Sequence, residues 1–551
     1  MRDTVSMAGA EALVDALQDA GVRCIFSLSG NQIMPIYDAL LGRDIRLIHF
    51  RHEAAAVYAA EAWAQLTGQL GVALVTAGAG FGNALGAMIS AQASESPVLL
   101  LSGDSPRAQD GMGAFQELDQ CAMSAPVTKA SLRAGSAETL ASEAAGLIRE
   151  ALSGRPGPVH LALPADVLTD TVTARPDLEF TPPVQVPGAS DLAELRAFLD
   201  GAARPLILTG PSLSNTRSNG ALARAQDALN APVLCMESPR GLRDPSLGAL
   251  VDVTRQADRI VLLGKSGDFT TGFLGQGMGG DATRFAVIDP DPAEIARAQA
   301  RLGPRADITG CADSLPVLLA LSDAGAAPDR AAWLAEAARA TSARAPVAPD
   351  ALSDPDGLHP AAVGQALAAI LRDHPDAVFI SDGGEFGQWM QAIAHDGPRV
   401  INGVSGAIGA APAYAIAASI ARPDVPVIAV MGDGTAGFLL AEYETAARED
   451  AGFIAVIGND SCWNAEHQIQ IREFGVGRTH SCTLSHMVRY DEAARGLGAQ
   501  GLLAADGKVE TLSQVLSDAQ QAHGPICVNI RIRPEPAPVV PSRLPQATAV
   551  H

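Results

Sequence analysis

The sequence predicts an α/β protein of three blocks, each built on a parallel sheet, and three observations predict it. Short apolar runs alternate with helical segments along nearly the whole chain, which is the pattern of parallel sheets covered on both faces. The 551 residues exceed what one core supports and point to several domains. Two proline-marked stretches, 176–188 and 345–360, cut the alternation into three.

The first block, residues 1–175, has strand-like runs at 24–28, 45–50, 71–75 and 98–101. An Ala-rich helix at 54–66 follows the second of them. The second block, 189–344, has runs at 206–208, 260–263 and 285–288. The third, 358–535, has runs at 377–380, 427–430 and 453–457 and closes with 526–532. The tail 536–551 is a surface strap or disordered. First and third blocks share length and layout without sequence repetition.

Composition narrows the function. Hydrophobic residues make up 48% and aromatics only 4%, ample for burial. A formal charge of −22 argues against nucleic acid or an anionic membrane as partner. No uncharged run reaches membrane-spanning length, and Met1-Arg2-Asp3-Thr4 opens neither a signal nor a transit peptide. The seven cysteines lack metal or redox spacing, so buried cytoplasmic thiols are expected.

The most informative stretch is the apolar run 427–430 followed by the turn Met431-Gly432-Asp433-Gly434. A second apolar run ends in Gly458-Asn459-Asp460. Neighbouring strands that each end in an oxygen ligand make a hard-cation site, and magnesium suits it because it shares ligands with phosphates. Gly432 and Gly434 permit close backbone approach, and the N–H groups that follow can cradle phosphates. The bland alternative is a strand-turn-helix with acidic loop ends.

At these residues the chain resembles the thiamine diphosphate enzymes, whose signature is Gly-Asp-Gly, a spacer of this length, then Asn-Asn. Asp460 stands where that family usually has its second Asn, which adds a negative charge at the metal. The resemblance implies Asp433, Asp460 and the Cys462 carbonyl as magnesium ligands, with Gly432, Gly434 and Thr435 beside the diphosphate. It also implies a pyrimidine-binding domain, a central Rossmann-like domain and a diphosphate-binding domain. The cofactor would lie between the first domain of one subunit and the third of another, making a homodimer the minimal active unit and a homotetramer the expected assembly.

Glu53 is the second key residue. Arg51-His52-Glu53 links the run 45–50 to the Ala-rich helix, where a Glu is also favoured simply by the helix dipole. Arg-His-Glu-Ala-Ala-Ala resembles the place where the family keeps its obligatory acid, which exchanges a proton with the aminopyrimidine ring. Such a group needs a dry setting, and an Ala-lined helix supplies one.

The other implied site residues come from glycine-rich or polar turns. Asn83, in Ala77-Gly78-Ala79-Gly80-Phe81-Gly82-Asn83, belongs to a loop near the pyrimidine. Gly406 would accept from the cofactor's amine through its carbonyl, and Ile408 would wedge the cofactor into a V. Glu385 and Phe386, after Ser381-Asp382-Gly383-Gly384, match a second diphosphate contact. Phe115 and Gln116 resemble a loop that lines the substrate side of the cofactor. Trp463 and Asn464 follow the metal ligands over the site's mouth. Asn31 and Gln32 would orient a hydroxyl or carbonyl near the reactive carbon. Each position also has an ordinary reading as packing or as a βα turn.

The central block contains Gly264-Lys265-Ser266-Gly267-Asp268 and Asp289-Pro290-Asp291, but no full dinucleotide fingerprint. It either holds FAD or ADP or is purely structural. No His-His pair occurs among the 11 histidines, which argues against simple 2-keto acid decarboxylases. The resemblance is closest to acetolactate synthases and 2-hydroxyacyl-CoA lyases. It implies a cytoplasmic lyase or carboligase using thiamine diphosphate and Mg²⁺ on a small 2-keto acid or 2-hydroxyacyl substrate. Alternatives are a flavin-dependent 2-keto acid oxidase, a nicotinamide dehydrogenase and a non-catalytic relative that still binds the cofactor.

Overall fold

A computed structural model describes residues 6–173, 176–275, 277–393 and 397–540. Met1 to Thr4 and residues 541–551 of the tail lie outside the described residues. The fold is α/β with three parallel sheets, each in one of the three blocks.

In the first sheet the strands run in the order Arg46–His49, Cys24–Ser27, Gly71–Val75, Val98–Asp104, Val159–Pro164, Ala130–Arg133. Gly71–Val75, Val98–Asp104 and Val159–Pro164 are buried at every residue, as befits strands covered on both faces. A short antiparallel pair, Met7–Ala8 with Thr171–Val172, ties the start of the block to its end.

The third sheet runs Arg399–Ile401, Val378–Ser381, Val427–Gly432, Ile454–Asn459, Ile526–Arg531, Gln500–Ala504. Counted along the chain within each block, both six-stranded sheets have the order 2-1-3-4-6-5. The shared layout anticipated from segment lengths is therefore a shared topology. The central sheet is five-stranded, in the order Val233–Cys235, Pro205–Thr209, Arg259–Leu263, Arg284–Asp289, Ala306–Cys311. Separate apolar clusters, one around Val261 and Leu263 and one around Ile260 and Leu262, pack its two faces.

The order 2-1-3 matters because the chain direction of the connections reverses between strands 1 and 3. Loops leaving the carboxyl ends of those two strands diverge and leave a crevice, where open α/β sheets bind ligands. In the third sheet those strands are Val378–Ser381 and Val427–Gly432, and in the first they are Cys24–Ser27 and Gly71–Val75. Asn31, Gln32, Asn83, Glu385, Phe386 and Asp433 lie after these strands, whereas Glu53, Ile408, Asp460 and Gln116 follow neighbouring strands of the same two sheets.

Contacts divide the chain into two compact units. One comprises residues up to Pro183 with Pro412–Pro423 and Leu439–Gly452; the other comprises Val184–Ala411, Asp424–Phe438 and the chain after Gly452. No described helix is long and apolar enough to cross a membrane.

Candidate active site

The diphosphate-side residues begin at the ends of two adjacent strands. Gly432 pairs with Gly458 across the ladder, so the two strands finish level and their next residues emerge at one edge. Asp433 is only 2% exposed, and its Oδ1 accepts from the Gly434 N–H at 3.0 Å. Its Oδ2 is buried, and no described residue donates to it. Asp460 Oδ1 accepts from the Cys462 N–H at 3.1 Å. Burial pushes both carboxyls above the usual range, and the adjacent Asp433 pushes Asp460 further. Two desolvated carboxylates facing one another repel, and a divalent cation removes that cost.

The donor set fits such a cation. Among the described residues no three His, Cys, Asp or Glu side chains form a metal cluster, so further ligands would come from backbone, amide or hydroxyl oxygens, water or a bound phosphate. Ser461 adopts the left-handed region (φ 57°) and turns the chain sharply between Asp460 and Cys462. That turn is pinned by Trp463 N–H to the Cys482 carbonyl and Leu484 N–H to the Ser461 carbonyl, both 2.7 Å. Burial and Asp460 push the Cys462 thiol up to about 12, and a hard cation prefers oxygen to sulfur, so the carbonyl is the donor that suits Cys462.

The helix after the glycine turn is a single turn, Asp433–Ala436. Thr435 Oγ1 donates back to the Gly432 carbonyl at 2.9 Å, and Tyr490 Oη donates to the Asp433 carbonyl at 2.7 Å. Gly434 is needed for a second reason. The Trp463 ring lies against it so closely that a Cβ would sit 2.8 Å from ring carbons. Asn464 donates to the Glu535 carbonyl at 2.8 Å and accepts from Gln468 at 3.0 Å, which anchors the chain leaving the last strand.

On the neighbouring loop, Asp382 is a residue that sequence reasoning passed over. Its Oδ1 accepts from Gly383 at 2.7 Å, and its Oδ2 accepts from Gly409 and Ala411 at 3.0 and 3.1 Å. This carboxylate staples the turn after Val378–Ser381 to the loop carrying Gly406 and Ile408, and burial pushes its pKa up. Gly406 (φ +70°) is open to solvent, whereas the Ile408 side chain rests against Gly383. The available signal was the strand-end carboxylate between two small residues. Asp382→Ala should strand three buried N–H groups at about 1–3 kcal/mol each. A loss of about 3 kcal/mol or more is expected in denaturant unfolding, with Asp382→Asn milder; equal stability of Asp382→Ala and wild type would dismiss the staple. Phe386 is buried against Gly458, and half-buried Glu385 accepts from Gln388 at 2.7 Å.

In the other unit Glu53 opens the helix Glu53–Thr67, which His52 caps by accepting from the Ala54 N–H at 3.1 Å. Gly68, left-handed at φ 69°, ends it. Glu53 is 9% exposed; its Oε2 accepts from Asn83 Nδ2 at 3.1 Å, and its Oε1 faces Gly80. Gln32 joins Gln116 and Thr76: Gln32 Nε2 donates to Gln116 Oε1 at 2.7 Å, and Thr76 Oγ1 donates to Gln32 Oε1 at 2.6 Å. This chain of three lies beyond the strands at that sheet's crevice. Asn31 beside it is exposed, and so is Phe115, at 76%. The Phe115 loop is held from within by Glu117, whose carboxylate accepts from the backbone of Gly111, Gly113 and Ala114.

The central block's polar turn is engaged with itself. Lys265 donates to Thr270 at 2.6 Å, Asp289 accepts from the Asp291 N–H, and Asp291 caps the helix Pro292–Leu302. The seven cysteines form no disulfide with one another; Cys24, Cys482 and Cys527 are buried, three are half-buried, and Cys311 is exposed.

Residues 7–123 match the thiamine pyrophosphate enzyme N-terminal TPP binding domain, and residues 382–530 match the corresponding C-terminal TPP binding domain. An acetolactate synthase large subunit of Mycobacterium tuberculosis is 32% identical over 502 residues, covering 89% of each chain. This chain belongs to the thiamine pyrophosphate enzymes. Human 2-hydroxyacyl-CoA lyase 2 is 30% identical over 582 residues, covering 95% of this chain and 90% of its own. The Caenorhabditis elegans 2-hydroxyacyl-CoA lyase 2 is 27% identical, covering 93% and 87%. The matched N-terminal region contains Glu53, Asn83 and Gln32, and the matched C-terminal region contains Asp433 and Asp460.

Proposed function

We propose that this enzyme is a magnesium-dependent carbon–carbon lyase and carboligase acting on 2-keto acids or 2-hydroxyacyl compounds. The observation that carries the reading is the pair formed by buried Asp433, with one carboxylate oxygen unpartnered, and half-buried Asp460 beside it. Asp433, Asp460 and the Cys462 carbonyl would hold Mg²⁺, with Gly432, Gly434 and Thr435 against the diphosphate. Gly406, Ile408, Glu385, Phe386, Trp463 and Asn464 complete that end of the cofactor site. Bound thiamine diphosphate supplies an electron sink for breaking or forming a bond next to a carbonyl.

The rest is done by the chain. Glu53 holds or delivers a proton at the cofactor's ring, and Asn83 fixes its carboxylate through the 3.1 Å bond. Gln32 and Gln116 orient a substrate hydroxyl or carbonyl, with Asn31 and Phe115 bordering that side. Residues 1–175 act as the pyrimidine-binding domain, 189–344 as the central domain and 358–535 as the diphosphate-binding domain. A homodimer is the minimal active unit and a homotetramer the assembly, in the cytoplasm, where free thiols persist.

The relatives include a synthase and an acyl-CoA lyase, so both substrate classes are tested. Protein reconstituted with thiamine diphosphate and Mg²⁺ is offered pyruvate alone, then a 2-hydroxyacyl-CoA. Carboligation or cleavage with one of them is expected. Failure of calorimetry to detect cofactor binding, or binding without turnover on either class, would overturn the proposal.

A further inference from the structure

The loop that delivers Glu53 is held by a buried acid from a distant part of the chain. Residues Leu439–Gly452, although they follow the Asp433 turn in sequence, pack in the unit that contains Glu53. Glu442, the first residue of the helix Glu442–Arg448, is 1% exposed. Its two carboxylate oxygens accept from the Arg51 backbone N–H at 3.2 and 3.3 Å, and Thr445 Oγ1 donates to Oε2 at 2.6 Å. The His52 backbone N–H lies near this carboxylate and favours its charged form. Exposed pairs surround the contact: Arg51 with Glu444 at 3.2 Å, Arg46 with Glu449 at 2.9 Å, and Arg448 with the His49 carbonyl.

We propose that Glu442 is a positioning residue that sets Glu53 by gripping the Arg51-His52 backbone immediately before it. The inference rests on the role given to Glu53 under Proposed function. Its physical basis is that N–H groups leading into a helix have no intrahelical partner. Glu442 supplies one from outside while His52 caps from inside, so the turn that aims Glu53 is fixed at both of its residues. Burial opposes this carboxylate and pushes it up to about 7. An apolar side chain at this position would leave the Arg51 N–H without its acceptor, so the desolvated acid is retained for the backbone geometry it defines.

The test compares Glu442→Gln, Glu442→Asp and the exposed-pair control Glu444→Gln in the reconstituted enzyme. The amide of Glu442→Gln replaces one of the two oxygens that accept from the Arg51 N–H with a donor, and Glu442→Asp keeps both acceptors but withdraws them by one methylene. Small misplacements of a reacting group cost up to about a hundredfold in rate. Turnover of Glu442→Gln is therefore expected to fall about 10- to 100-fold, with thiamine diphosphate affinity and substrate KM within about twofold of wild type. Glu442→Asp should lie between them, and Glu444→Gln should match wild type. If Glu442→Gln does not fold, Glu442→Asp decides alone by the same split of kcat against KM. Unchanged turnover in a folded Glu442 variant, or equal losses in cofactor affinity and turnover, would overturn the proposal. Wild-type turnover in Glu53→Gln would instead overturn the reading on which it rests.

Discussion

Glu53→Gln is expected to lower turnover by about 10²- to 10⁴-fold, the usual contribution of a positioned acid or base. Fold and cofactor binding should survive. The substitution is isosteric, and the Gln carbonyl oxygen can still accept the Asn83 bond made at 3.1 Å in the parent. The capping of the helix by His52 does not involve the Glu53 side chain. What the amide cannot do is take up or release a proton. Thermal unfolding within a few degrees of wild type, with near-normal cofactor affinity and lost turnover, is the expected triad of results. Wild-type rates would remove Glu53 from the chemistry and return it to the helix-dipole role.

Asp433→Ala is expected to have the second large effect, on binding rather than on the chemical step. Loss of partners around a metal site typically costs about 10- to 100-fold in affinity. Loss of a direct ligand should exceed that, so thiamine diphosphate affinity in Mg²⁺ is expected to drop by more than about a hundredfold by calorimetry. The cofactor-free protein should respond in the opposite direction. Asp433 carries a buried unpartnered oxygen next to Asp460, and both carboxyls are destabilised in the ionised form. Removing one relieves repulsion and desolvation, so the apo melting temperature should rise. Asp460→Asn keeps an oxygen and drops one charge, so it should show a smaller affinity loss and a similar apo gain. A structural carboxylate would instead lower stability when removed. An Asp433→Ala protein that binds the cofactor as tightly as wild type would end the assignment of this pair.

Both residues behind these predictions are legible in the amino-acid sequence. Strands are readable because parallel sheets bury both faces, and the run 71–75 is the strand Gly71–Val75 without adjustment. Asp433 and Glu53 stand out because each is a carboxylate placed where an apolar strand turns into a helix. Strands that break the buried apolar pattern are not readable: Ala130–Arg133 is half-buried with Leu132 exposed, Gln500–Ala504 begins at exposed Gln500, and only pairing defines them.

The sequence by itself determined the α/β class, the glycine turns and which acids end strands, because these depend on local periodicity and on residues a few positions apart. Tertiary structure alone decided that Gly432 and Gly458 align in register, that Gln32 meets Gln116, and that Asp382 and Glu442 hold backbone far away in sequence. The physical reason is that a buried carboxylate is tolerated only where several donors converge. Convergence is set by strand order and by the packing of segments remote along the chain.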